Sequence, residues 1–209
     1  TKNRVKAAPV LLCQRRLRSG HAQAILVNSG NANACNGPRG KDDARLLSRE
    51  TARLLTIPEA PVLPASTGVI GQPLPVDLIK GALPDLAARL RPEGLTEVSE
   101  AILTTDTRPK TAYIQEKLWG QKITLAGLAK GAGMIHPQMA TMLAFLATDA
   151  ALSPALAARA LKSAVGPTFN SITVDGDTST NDTVFVMDMD GVIKYWNRGA
   201  EQQYRWTAD

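Results

Sequence analysis

The stretch Lys130-Gly-Ala-Gly-Met-Ile-His-Pro-Gln-Met-Ala140, continued by Thr141-Met-Leu-Ala-Phe145, is a glycine-loosened polar loop that opens into an apolar run. It lies between two short apolar segments, residues 122–128 and 142–147, that read as buried strands. The chemistry of the segment rests on Thr141. A threonine becomes an effective nucleophile once the peptide bond before it is broken, because its hydroxyl then lies beside a free α-amine. That amine titrates near ~8, so much of it is an unprotonated base at neutral pH. Ala140 is small and leaves the carbonyl on the acyl side open to attack. The residues alone admit two readings, a bond between Ala140 and Thr141 that breaks itself and a plain loop leading into a buried strand.

Working outward, residues 9–13 and 23–27 are apolar runs bounded by turn residues and read as further buried strands. Residues 42–55 carry Leu46, Leu47, Leu54 and Leu55 at helical spacing after an acidic start, so a helix is expected there. Residues 76–90 read as a second helix, disturbed at Pro84. Ser153 is a good N-cap with Pro154 at the first helical position, which predicts a helix to about Val165. Strands and helices mixed on this scale indicate layered α/β packing.

Composition limits the alternatives. The chain has 209 residues, 44% hydrophobic, enough for one good core. Its net charge of +5 could suggest nucleic acid, but the basic residues are dispersed, with one tight cluster at Arg15-Arg16-Leu17-Arg18. Aromatic residues make up only 4%, which leaves little on which to stack bases, so a solvated basic surface that attracts anionic small molecules is the better reading. Cys13 and Cys35 make no disulfide framework, and there are too few ligands for zinc; no metal is expected. Cys13 reads as a small buried hydrophobe and Cys35 as a loop thiol. His21 and His136 have no triad context. No apolar segment approaches the ~20 residues of a membrane helix and no signal peptide is present, so the expectation is a cytoplasmic protein with no membrane partner.

Two motifs fail on inspection. Gly37-Pro-Arg-Gly40-Lys41-Asp42 looks like the end of a phosphate loop, but Cys35 stands where the leading glycine belongs and Asp42 where Ser or Thr belongs. Asp175, Asp177, Ser179 and Asn181 alternate like calcium-loop ligands, yet Thr180 replaces the required glycine and Val186 the required glutamate. A polar hydrogen-bonded turn is expected instead.

The segment 130–143 resembles the self-cleavage site of the ornithine acetyltransferase (glutamate N-acetyltransferase) family, written Lys-Gly-x-Gly-Met-Ile-x-Pro-x-Met-Ala-Thr-Met-Leu. The likeness continues, in family order, through Asn28-Ser-Gly-Asn-Ala-Asn-Ala-Cys-Asn-Gly37, Ser66-Thr-Gly-Val-Ile-Gly71, Thr104-Thr-Asp-Thr-Arg-Pro-Lys110 and Phe169-Asn-Ser-Ile-Thr-Val-Asp-Gly-Asp-Thr-Ser-Thr-Asn-Asp182. It spans roughly residues 1–184. The resemblance implies an α/β sandwich with strands stacked between helix layers, cut into an α-chain (1–140) and the start of a β-chain (141–184) that remain together as a heterodimer or higher oligomer. It implies an enzyme of arginine biosynthesis that moves an acetyl group from N2-acetyl-L-ornithine to L-glutamate, with no resident cofactor and acetyl-CoA as a candidate co-substrate. Residue by residue, it makes Thr141 the nucleophile, Thr67 and Gly68 the oxyanion hole, and Thr104, Lys130 and Thr141 the substrate-binding residues. The chain looks truncated at both ends relative to that pattern, and low solubility and weak or absent transfer are expected of it.

From Phe185 the likeness changes. Phe185-Val-Met-Asp-Met-Asp-Gly-Val-Ile-Lys-Tyr-Trp-Asn197 and the residues to Trp206 resemble the opening of a PAS sensor domain, with Asp190-Gly191 as a hairpin turn. Residues 185–209 are therefore expected to be a fused fragment. Two other function classes stand beside the acetyltransferase: another self-processing N-terminal-nucleophile enzyme, such as an amidase or aminopeptidase, and a non-enzymatic sensory fragment.

Overall fold

A computed structural model describes residues 1, 3–118, 120–135 and 142–187 of the chain. Among these, strands form a parallel pair and a four-stranded mixed sheet. The pair is β1 (Ala24–Asn31) and β2 (Val62–Val69). Parallel neighbours cannot be joined by a tight turn, and the crossover here is the helix α2 (Gly37–Leu55). Ala44, Leu47, Ser48 and Ala52 form its buried stripe, and Thr56 closes it in the left-handed conformation. The helix begins five residues before the acidic start expected from sequence, with Pro38 in its first turn.

The second sheet has the order β3 (Lys110–Leu118), β4 (Gln121–Lys130), β5 (Leu143–Thr148), β6 (Thr183–Met187). β3 and β5 run antiparallel to β4, and β6 runs parallel to β5. Between β5 and β6 lies a helix over Pro154–Val165, whose Ser153 Oγ accepts from the Leu156 N–H at 3.2 Å. The Ser153 cap and the end near Val165 match the sequence reading.

One expected strand is a helix. Residues 9–13 lie in α1 (Ala8–Arg16), whose buried residues Val10, Leu12 and Cys13 face the core while Arg15 and Arg16 occupy the last turn. A short apolar run fits a strand and a buried helix equally well; here Pro9 in the first turn and the basic residues in the last were the distinguishing signals. The Cys13 thiol is buried, donates to the Pro64 carbonyl at 3.1 Å, and is pushed up to about 12 by burial. Residues 76–90 are helical as α3 (Val76–Ala88), which continues through Pro84. A short helix α4 (Leu95–Ala101) and strand β3 were not anticipated.

α1 and α2 pack on β2, and α3 packs on α2. The largest buried cluster joins the two sheets: Cys13, Leu63 and Ala65 meet Ile102, Leu128, Leu143, Phe145 and Phe185. The Phe145 and Phe185 rings stack with centroids 5.2 Å apart, as their paired positions on β5 and β6 require. The layered α/β arrangement is the one expected. The boundary expected at Val184 falls inside β6, and Phe185 is part of the core. The hairpin signal at Asp190-Gly191 and the aromatic residues of the tail lie outside the described residues.

Candidate active site

The carboxyl ends of β1 and β2 come together at one edge of this core. Ser29 is opposite Thr67, and Gly30 is opposite Gly68. Gly68 has φ +129°, and a Cβ there would stand 2.2 Å from the Gly30 carbonyl carbon and 2.5 Å from its oxygen. Only glycine fits. The Ser66-Thr67-Gly68 tripeptide lies in the last residues of β2. Asparagines fix the strand ends. Ser66 Oγ donates to Asn28 Oδ1 at 2.6 Å, and Asn28 Nδ2 donates to the Asn31 carbonyl at 2.8 Å. The buried Asn181 Nδ2 donates to the carbonyls of Ala32 (2.6 Å) and Ser66 (2.8 Å), tying the loop before β6 to both strands.

Lys130, the last residue of β4, reaches this edge from the other sheet. Its ammonium donates to Thr104 Oγ1 at 2.6 Å and to Thr67 Oγ1 at 3.1 Å, and stands 3.7 Å from Asp106 Oδ2. Lys130 thus joins Thr67 and Thr104, all three singled out by the family resemblance. The lysine side chain is only 2% exposed and the Asp106 side chain 0%. Burial lowers the Lys130 pKa, and the Asp106 charge works against that fall. For Asp106, burial would raise the pKa, but hydrogen bonds from Lys110 Nζ (2.6 Å) and the Gly131 N–H (2.7 Å), with the Lys130 charge, hold it below the ordinary carboxylate range.

The loop after Lys130 is held by a second carboxylate. Asp175 accepts from the backbone N–H groups of Met134, Ile135 (2.8 Å) and Asp177 (3.2 Å), which hold its carboxyl below the usual range. Among the described residues no group of three or more His, Cys, Asp or Glu is placed to hold a metal ion. Ala140, Thr141 and His136 lie outside the described residues. The Met142 N–H donates to Asp182 Oδ1 at 2.9 Å, and its carbonyl accepts from the Thr183 N–H at 3.0 Å. Asp182 is 1% exposed, and burial pushes its carboxyl up to about 7 against the opposing Met142 hydrogen bond.

A cleft of about 710 Å³ opens over these groups, with Thr67, Gly68, Thr104, Gly133, Met134 and Asn181 in its wall. Lys130 is not in the described wall; its charge reaches the cleft through the Thr67 and Thr104 hydroxyls. A Thr hydroxyl and the strand end at Gly68, with a cation behind, form an arrangement suited to a developing oxyanion. Sequence reasoning singled out Thr67, Gly68, Thr104 and Lys130 but assigned no role to Asp106, Asn181 or Asp182. All three lie inside quoted motifs. The signal available for Asp106 was its place two residues after Thr104; Asn181 was read only as part of the alternation with Asp175 and Asp177, and Asp182 stood beside that pattern without a role.

Among the described residues no helix is long and apolar enough to cross a membrane. The sequence profile described as "ArgJ family" matches residues 1–205, past the boundary expected at Val184. The "arginine biosynthesis bifunctional protein ArgJ" of Caldanaerobacter subterraneus subsp. tengcongensis is 50% identical over 187 residues, covering 90% of this chain and 46% of that protein. The chain thus spans about half the length of the curated relatives it matches. Among solved structures, the ArgJ protein of Bacillus halodurans superposes with a TM-score of 0.61 at 46% identity, over 67% of this chain and 74% of that one. The ornithine acetyltransferase of Mycobacterium tuberculosis complexed with ornithine gives 0.62 at 37% identity, over 66% and 74%.

Proposed function

Because this chain belongs to the ArgJ family, we propose that it carries the nucleophile and oxyanion site of an amino-acid N-acetyltransferase that moves acetyl from N2-acetyl-L-ornithine to L-glutamate. The observation that carries this reading is the Lys130 ammonium bonded to both Thr67 and Thr104 at the wall of the cleft. The first reaction is on the chain itself. Thr141 Oγ adds to the Ala140 carbonyl carbon, the Ala140–Thr141 C–N bond breaks, and the nitrogen takes a proton to become the Thr141 α-amine. The resulting ester is opened by water, leaving an Ala140 carboxylate and a free Thr141 hydroxyl.

In transfer, the new α-amine takes the proton of the Thr141 hydroxyl as the oxygen attacks the acetyl carbonyl of acetylornithine. The tetrahedral oxyanion is met by the Thr67 O–H and the Gly68 N–H, and collapse expels the ornithine amine, whose nitrogen takes the proton held by the Thr141 α-ammonium. Glutamate's amine then attacks the acetyl ester and restores the hydroxyl. Loss of one oxyanion donor typically costs ~3 kcal/mol in the barrier, and a group that acts only on the transition state is felt in kcat rather than in KM.

Incubating a chain carried to the full length of its relatives, of which the 209 residues span about half, with acetyl-labelled N-acetylornithine tests this function. The expected result is one labelled acetyl group on the fragment beginning at Thr141, removed by adding glutamate, with Thr67→Ala slowing labelling about 100-fold. A folded, cleaved chain that takes no label, or that only hydrolyses the acetyl group with glutamate present, would contradict the transferase reading in favour of an amidase.

A further inference from the structure

We propose that Asp106, Lys130 and Thr67 form one relay, in which a buried carboxylate keeps the lysine ammonium in place against the hydroxyl that faces the cleft, so that Asp106 is the positioning residue of the oxyanion site. The relay rests on the reading of Thr67 as an oxyanion donor. Its geometry stands by itself.

The Lys130 ammonium is buried, with its side chain only 2% exposed. Its N–H groups are directed to Thr104 Oγ1 and Thr67 Oγ1, with Asp106 Oδ2 3.7 Å away. Thr67 accepts from Lys130, which leaves its own O–H to donate. A hydroxyl that accepts from a cation is polarised and is a stronger donor in turn. A lone ammonium buried this deeply would shed its proton, and a neutral amine would not polarise Thr67. Asp106 prevents that. Its side chain is 0% exposed, its Oδ1 accepts from Lys110 Nζ and the Gly131 N–H, and its Oδ2 has no hydrogen-bond partner among the described residues, so that oxygen is left to oppose the Lys130 charge. The charged groups around Lys130 are Asp106, which favours its protonation, and Lys110, which opposes it. Asp106 also joins two motifs: through Gly131 it holds the start of the loop that leads to Ala140 and Thr141.

The test uses the 209-residue chain labelled with ¹⁵N-lysine, with the Lys130 ammonium followed by NMR against pH and cleavage followed by mass. In Asp106→Asn, which keeps an oxygen acceptor for Gly131 but no charge, the Lys130 titration midpoint is expected to fall by roughly one pH unit or more. Cleavage is expected to slow about tenfold or more and to follow that shifted titration. A purely structural role for Asp106 would leave the midpoint where it was, and an unchanged midpoint in a folded variant overturns the relay. Should the variant fail to fold, the wild-type chain decides: its Lys130 signal is expected to move as Asp106 titrates in acid, and a signal flat through that range overturns the proposal. A wild-type chain that never cleaves while the Lys130 midpoint shifts as expected supports the relay and counts against the cleavage reading alone.

Discussion

Asp182 holds the N–H of the residue that follows Thr141, and it does so from a site 1% exposed. Burial pushes its carboxyl up to about 7, where an unfolded aspartate titrates near ~3.9. Between those values the folded chain binds a proton that the unfolded chain does not. The contribution of Asp182 to stability is therefore complete below about pH 4 and is lost as pH rises through 7, with a slope of at most about 1.4 kcal/mol per pH unit. Urea unfolding at a series of pH values is expected to show this decline, and Asp182→Asn to flatten it; the same slope in both proteins would mean that the carboxyl is not protonated in the fold. At this scale the family resemblance was the guide. Thr67, Gly68, Thr104 and Lys130 were singled out through it. Asp106 and Asp182 were not, because their work is to hold other groups, and a buried carboxylate that supports a neighbour has no local pattern to reveal it.

The pairing of β1 with β2 turns on one contact. A side chain at position 68 would collide with the Gly30 backbone, which cannot swing aside as a side-chain end could. Gly68→Ala is expected to cost on the order of 1–3 kcal/mol from backbone conformation alone, with a further cost from separating the strands. A clear drop in the unfolding midpoint checks this, and an unchanged midpoint would contradict the Gly30–Gly68 register. Elements were legible where they carry a buried stripe or a strong cap. α2 has the stripe, and the helix over Pro154–Val165, in which only Val165 is buried, has the Ser153 cap followed by Pro154. β3 pairs with β4 along its whole length yet is exposed on both faces over nearly all its residues, so it lacks the alternation that marks a half-buried strand. α1 was misread because its buried residues form a run too short to show a period.

Across the whole molecule, the site exists only where the two sheets meet. Thr67 and Gly68 belong to β2, Lys130 to β4, and Asn181 spans the distance by bonding the Ala32 and Ser66 carbonyls. The shared cluster of Leu63, Ala65, Leu128, Leu143, Phe145 and Phe185 holds the sheets at that spacing. The sequence placed these motifs far apart and could not give their distances, which depend on long-range packing. The boundary expected at Phe185 from the resemblance to a PAS opening falls within β6, where Phe185 stacks on Phe145 inside the core. The central claim is that this assembly serves a nucleophile freed by the chain's own cleavage. An intact-mass measurement on the purified, folded chain tests it most directly. The expected result is two fragments divided between Ala140 and Thr141, and a single intact chain for Thr141→Ala; a wild-type chain that stays whole for days while folded, or one cut at another bond, would contradict it.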